Sequence, residues 1–217
     1  MAATNLEKMV VMLKISGYIK SKEVEDAMLS VDRAHFVPKE MQYAAYTDAA
    51  LPIGHGQTIS APTVVSFMLE KLKIKKGMKI LEIGTGSGYN AALLSHLVGK
   101  KGSVFTMENL TELVGIAKKN VMSLPNEYLN ITYVLGDGTK GYPEEAPFDR
   151  IIVTAAMPWL NDDHPLTTQM TKSGKLIAPV GDTTFQNLVL YDVKKKTYEK
   201  VLPVMFVPLK GEYGFPE

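Results

Sequence analysis

The sequence predicts a doubly wound α/β fold, with a mostly parallel sheet, an N-terminal helical cap and a C-terminal antiparallel hairpin. Three observations carry that expectation. Short apolar runs alternate with helical patterns from Met78 to Pro179, and the first of them, Met78–Ile83, leads straight into Gly84, Gly86 and Gly88. Two later strand-like runs, Asn187–Val193 and Tyr198–Val207, flank the polar turn Lys194–Lys196. Strands alternating with helices form parallel sheets covered on both faces, and a closing hairpin adds an antiparallel edge.

Taken in order, Leu6–Ile15 has helical periodicity and Gly17 stops it. Ser21 caps a second helix through Ser30, with Val24, Ala27, Met28 and Val31 on one face. Asp32–Gly56 carries mixed signals and is read as part of a cap, residues 1–75, laid on the sheet. Pro62 suits the first turn of a helix that runs to about Leu72. The core, residues 76–217, then alternates: strand Met78–Ile83, helix Asn90–Val98, strand Ser103–Met107, helix Leu110–Ser123 and strand Ile131–Leu135. Strand Asp149–Thr154, a helix around Leu166–Thr171 and strand Lys175–Pro179 follow before the hairpin. The whole chain, 1–217, reads as one domain.

Composition limits the classes of function. A chain of 217 residues buries a sufficient core by itself, so a monomer is expected. The net charge of +1 removes any global argument for nucleic acid or an acidic membrane as partner. The basic runs Lys75-Lys76 and Lys194–Lys196 sit beside predicted turns and read as solvated loops. With no cysteine, a disulfide framework, a cysteine metal site and a cysteine nucleophile are all excluded. His35, His55, His96 and His164 show no metal-ligand spacing, so no metal is expected. Only His55, between glycines, is a candidate to touch substrate, because it lies in Thr47–Ser60, the segment expected to act as a lid. Glu7, Lys8 and Lys14 break the N-terminal apolar stretch, and no run approaches the roughly 18 apolar residues of a membrane span. A cytoplasmic location is expected.

The glycine loop narrows the ligand. A dinucleotide loop spaces its glycines G-x-G-x-x-G, whereas here the third glycine comes one position early and Tyr89 stands where that pattern wants it. Glu108 ends the following strand 20 residues beyond Gly88, close to the spacing at which a carboxylate receives ribose hydroxyls. Its other reading is an acid at the start of the helix after Asn109. Ligands of open α/β sheets bind outside the carboxyl ends of the strands, where Glu82, Glu108 and Asp137 all fall. Glu82 suits an ammonium and sulfonium, Glu108 a ribose, and Asp137 in Gly136-Asp137-Gly138 an adenine amino group, although Gly-Asp-Gly is also a simple turn. S-adenosylmethionine has those parts and is the expected cofactor, on a Rossmann-like class I methyltransferase fold.

Longer blocks resemble one family. Leu51–Gly54, Gly56–Pro62, Leu81–Tyr89, Gly136–Gly138, Ala146–Asp149, Val153–Ala156, Pro179–Gly181 and Val207–Leu209 look, in order, like the signature of the protein-L-isoaspartate (D-aspartate) O-methyltransferases. The resemblance implies methyl transfer from S-adenosylmethionine to the free α-carboxylate of L-isoaspartyl residues, and less well D-aspartyl residues, in damaged proteins and peptides. The ester leads back towards aspartate through a succinimide. The resemblance also implies that Ser60 orients the carboxylate and that Ile59, Ser60 and Thr63 meet substrate. Cofactor contacts are implied for Thr58, Ile59, Glu82, Gly84, Thr85, Gly86, Ser87, Gly88, Glu108, Asp137 and Gly138. Ser60 also reads as a helix N-cap before Pro62. Thr63 departs from the aromatic or histidine that family members often carry after Ser-x-Pro, and either hydrogen-bonds in its place or caps the helix.

The implied chemistry asks little of side chains. A carboxyl group of pKa about 4 is already ionised at neutral pH, so its oxygen attacks the methyl carbon without a general base. The alternatives are a small-molecule carboxylate or hydroxyl methyltransferase on the same fold, and a binding module that keeps only the pocket. An amine methyltransferase would show Asn/Asp-Pro-Pro-aromatic after the fourth strand, where this chain has Thr154-Ala155-Ala156-Met157-Pro158-Trp159.

Overall fold

The computed structural model describes residues 3–124 and 130–216. Helix α1, Asn5–Ile15, opens on a capping box in which Glu7 N–H donates to Thr4 Oγ1 (3.2 Å) and Thr4 N–H donates to Glu7 Oε2 (2.6 Å). Helix α2, Lys22–Ser30, is capped by Ser21 as its sequence predicts, and α3 runs Pro62–Leu72 with proline in its first turn. Between α2 and α3 the mixed region resolves into two short 3-10 turns, Arg33–Phe36 and Lys39–Ala44, and a two-stranded hairpin. Strands β1, Leu51–Gly54, and β2, Gln57–Ile59, pair antiparallel around Gly54, His55 and Gly56, all at positive φ (92°, 52° and 70°). That left-handed turn is why two glycines surround the histidine.

The core strands are β3 (Lys79–Ile83), β4 (Ser103–Glu108), β5 (Ile131–Leu135), β6 (Phe148–Val153), β7 (Met170–Gly181), β8 (Gln186–Asp192) and β9 (Thr197–Val204). They form one seven-stranded sheet in the order β5-β4-β3-β6-β7-β8-β9. The strands from β5 to β7 run parallel, while β8 is antiparallel to both β7 and β9. Helices α4 (Tyr89–Val98), α5 (Thr111–Met122) and α6 (Pro165–Thr168) complete the chain.

Alternation along the strands builds two apolar layers. Ile80, Val104, Ile152 and Ile177 pack with α1 to α4, whereas Leu81, Ile83, Phe105, Met107, Ile151 and Val153 pack on the opposite face with Leu166 of α6. Burial on both faces explains why these strands read as continuous apolar runs. One expectation fails here. The helix around Leu166–Thr171 is a single turn, because Met170 onward is drawn into β7, paired with β6 on one side and β8 on the other. His164 caps that turn, its Nδ1 accepting from Leu166 N–H at 3.1 Å.

Candidate active site

A cleft opens beyond the C-terminal ends of β3, β4 and β6. Strand order reverses between β3 and β6, the place where open α/β sheets leave a crevice. Its wall is made by Ile83–Ser87, Tyr89, Asn90, Met107–Asn109, Gly136, Gly138, Thr154, Ala155, the β2 segment Gln57–Ser60, Val65 and Met68 of α3, and Val207–Lys210.

The glycine loop is shaped by packing as much as by any ligand. Gly84 has φ +95°, and a Cβ there would lie 2.4 Å from Thr154 Oγ1, whose hydroxyl sits 3.0 Å from Ile83 O and 2.8 Å from Gly84 O. Gly88, at φ +87°, starts α4, and a Cβ there would lie 3.1 Å from Ala117 Cβ of α5. Gly88 therefore serves helix packing and is not on the cleft wall.

The three strand-end acids part company. Glu108 is on the wall: Oε2 accepts from Gly86 N–H at 3.0 Å, and Oε1 accepts from Asn109 N–H at 3.0 Å and Leu110 N–H at 3.3 Å. It braces the glycine loop and the start of α5, in keeping with its reading as an acid at that helix start. Glu82 lies behind the wall, 0 % exposed, with Oε2 accepting from Thr106 Oγ1 (2.6 Å) and Oε1 from Asn90 Nδ2 (2.8 Å). Burial pushes its pKa up to about 7, against the pull of those two hydrogen bonds. It acts on the cleft through Asn90, whose Oδ1 is a buried acceptor with no partner among the described residues.

Asp137 is turned away from the cleft. Oδ1 accepts from the N–H and hydroxyl of Thr139 (2.9 and 2.6 Å), and Oδ2 from Glu212 N–H (2.9 Å). Burial alone raises its pKa, but these hydrogen bonds outweigh that and hold the carboxyl below the ordinary aspartate value. Its carboxylate holds the C-terminal segment through Glu212 N–H, and Asp137 is not among the residues of the wall. The neighbouring Gly136 and Gly138 do reach the wall; a Cβ at 138 would lie 2.5 Å from Ile83 Cγ2.

Thr58, Ile59 and Ser60 also line the cleft. Ser60 is not the cap of α3: Ala61 holds that position, with no side-chain cap bond. Thr63 instead faces Asp48, its N–H donating to Oδ1 (2.9 Å) and its hydroxyl to Oδ2 (2.5 Å), and it is absent from the wall. Asp48, from outside the helix, thereby supplies the capping acceptor. Asn90, Thr154, Ala155 and Val207–Lys210 are wall residues that motif reading did not assign to the site. The signal for the last group lay in topology, since Ala156 and Pro208 form a parallel bridge that draws 207–210 alongside the end of β6.

Fold and cleft together define a Rossmann-like S-adenosylmethionine-dependent methyltransferase. The family described as protein-L-isoaspartate(D-aspartate) O-methyltransferase matches residues 4–214, and the chain belongs to that family. It is 44% identical over 220 residues to the protein-L-isoaspartate O-methyltransferase of Hyperthermus butylicus, covering 97% of this chain and 90% of that one. To the Methanococcus maripaludis enzyme of the same name it is 49% identical over 203 residues, covering 92% of each. A solved protein-L-isoaspartate O-methyltransferase superposes with a TM-score of 0.83 at 32% identity, over 96% of this chain and 67% of that one. A Plasmodium falciparum structure of the same enzyme class, in complex with S-adenosyl-L-homocysteine, superposes with a TM-score of 0.84 at 26% identity, over 96% and 99% of the two chains.

Proposed function

We propose that this protein transfers a methyl group from S-adenosyl-L-methionine to the free α-carboxylate of L-isoaspartyl residues, and less well of D-aspartyl residues, in damaged proteins and peptides. One observation carries the reading beyond family membership: the Gln57–Ser60 segment and the Gly84–Ser87 loop line the same cleft. A donor pocket and an acceptor-orienting hydroxyl therefore share one space.

The residues present suit the cofactor. The orphaned acceptor Asn90 Oδ1, backed by Glu82, suits an ammonium; the Glu108 carboxylate suits a ribose diol; and Ile83, Met107 and Leu209 offer apolar surface to a ring. When bound, the cofactor supplies an electrophilic methyl group on a sulfonium. The chain's own residues then need to hold and desolvate the acceptor. Thr58 and Ile59 face the donor side, and Ile59 and Ser60 the acceptor. Ser60 donates a hydrogen bond to one carboxylate oxygen and leaves the other free to attack, so it orients and is not itself a nucleophile. No residue needs to remove a proton, because the acceptor is ionised near neutral pH. Attack neutralises opposite charges, so a cleft walled by Ile59, Val65, Met68 and Val207 favours it by excluding water. Among the described residues no group of three or more His, Cys, Asp or Glu side chains is placed to share a metal ion.

The reading is tested by incubating the protein with methyl-labelled cofactor and an isoaspartyl peptide. A base-labile labelled ester on the peptide is the expected product; absence of any ester contradicts the reading.

A further inference from the structure

Arg33 opens the short turn Arg33–Phe36 and is 0 % exposed. Its guanidinium reaches three separate pieces of backbone: Nη1 donates to Ala45 O at 2.5 Å, and Nη2 to Ala49 O at 3.0 Å and Ser60 O at 3.1 Å. Among the described residues no carboxylate forms an ion pair with it. The acids of the neighbourhood spend their hydrogen bonds on other partners. Asp48 accepts from Thr63, and Asp32 accepts from Ala34 N–H and the Tyr46 hydroxyl. Arg33 Nε and the hydroxyl of the wall residue Tyr89 are both buried without a hydrogen-bond partner.

A buried guanidinium stays ionised, and burying it without a counter-charge in contact is costly even when carbonyls receive some of its N–H groups. Asp48 attracts it only from outside ion-pair distance, and a closer anion has an obvious place. Ser60, whose carbonyl Arg33 holds, is the residue assigned to the acceptor carboxylate. We propose that Arg33 is a positioning residue for an anionic acceptor: it fixes the Ser60 peptide and places a positive charge behind it, so that the cleft prefers a carboxylate to a neutral group of the same shape. The inference rests on the proposed function, and it gives that function a source of selectivity for the charged group.

The test compares the protein with Arg33→Met and Arg33→Lys, using an isoaspartyl peptide and the same peptide with its α-carboxylate converted to carboxamide. Binding of each peptide is measured by calorimetry in the presence of S-adenosyl-L-homocysteine, and kcat and KM are measured for the carboxylate peptide. Arg33→Met is expected to cut the carboxylate-to-carboxamide affinity ratio by about tenfold or more, while affinity for S-adenosyl-L-homocysteine changes less than about threefold. Arg33→Lys keeps the charge and loses the fork, so it is expected to keep most of the ratio and to lower kcat about fivefold or more. Equal weakening of both peptides by Arg33→Met would reduce Arg33 to a structural clamp. If that variant does not fold, Arg33→Lys decides: unchanged kcat overturns the proposal. An unmodified protein that leaves the isoaspartyl peptide unmethylated contradicts the proposed function instead, and the two peptides' affinity ratio still reads the role of Arg33.

Discussion

Ser60 lines the cleft, its hydroxyl is free of any capping duty, and the proposed function gives it the acceptor carboxylate to orient. A hydrogen bond to a charged group contributes about 1.5–3 kcal/mol, so Ser60→Ala is expected to lower kcat about tenfold to a hundredfold. Cofactor affinity, read by calorimetry with S-adenosyl-L-homocysteine, is expected to fall much less; equal loss of both would contradict the orienting role. Glu82 leads to a prediction in pH. Its folded pKa of about 7 lies above the ordinary 4.5, so the folded state binds the extra proton between those values. The stabilisation is then fully present below pH 4.5 and is lost as pH rises through 7, an effect of at most about 3 kcal/mol. Glu82→Gln is expected to flatten that part of the stability–pH curve of the cofactor-free protein, measured by urea unfolding from pH 4.5 to 8. An unchanged slope would show that Glu82 titrates normally.

At the scale of elements, the glycine loop shows what a pattern reveals and what it conceals. Its apolar lead-in strand and the helix beyond it were legible because period and composition change abruptly at Ile83 and Tyr89. That Gly84 and Gly88 answer to Thr154 and Ala117 was not, because those partners lie far away in sequence. Gly84→Ala places a methyl against Thr154 in an unfavourable left-handed backbone, and is expected to cost about 2–4 kcal/mol of stability by chemical denaturation. Adding Thr154→Ala is expected to recover part of the loss, and no recovery would locate the strain elsewhere. The same reasoning applies to other side chains and to one helix end. Asp137 sits in a Gly-Asp-Gly turn that is apt for a ligand, yet its partner Glu212 arrives from 75 residues away. Thr63 is taken by Asp48 in a loop with no regular pattern, and the turn after His164 is shortened by pairing that only the assembled sheet reveals. Local periodicity reports elements well; side-chain direction at their ends is decided by distant chain.

At the scale of the whole molecule, the cap formed by α1 to α3 and the sheet share one apolar layer, and the cleft lies where the cap's β2 segment meets the ends of β3 and β4. The cleft wall joins segments about 150 residues apart in the sequence, Gln57–Ser60 and Val207–Lys210. Saturation with S-adenosyl-L-homocysteine at about one hundred times its Kd stabilises by about 2.7 kcal/mol, so the melting temperature is expected to rise by about 5–10 °C. No rise at any ligand concentration would remove the assigned cofactor.

Whether this cleft methylates the isoaspartyl carboxylate in particular is decided by kcat/KM for two peptides identical except that one carries isoaspartate and the other aspartate at a single position. A base-labile methyl ester is expected on the isoaspartyl peptide, with a preference of about a hundredfold or more over its aspartyl twin. Equal methylation of the two peptides, or of neither, would contradict it.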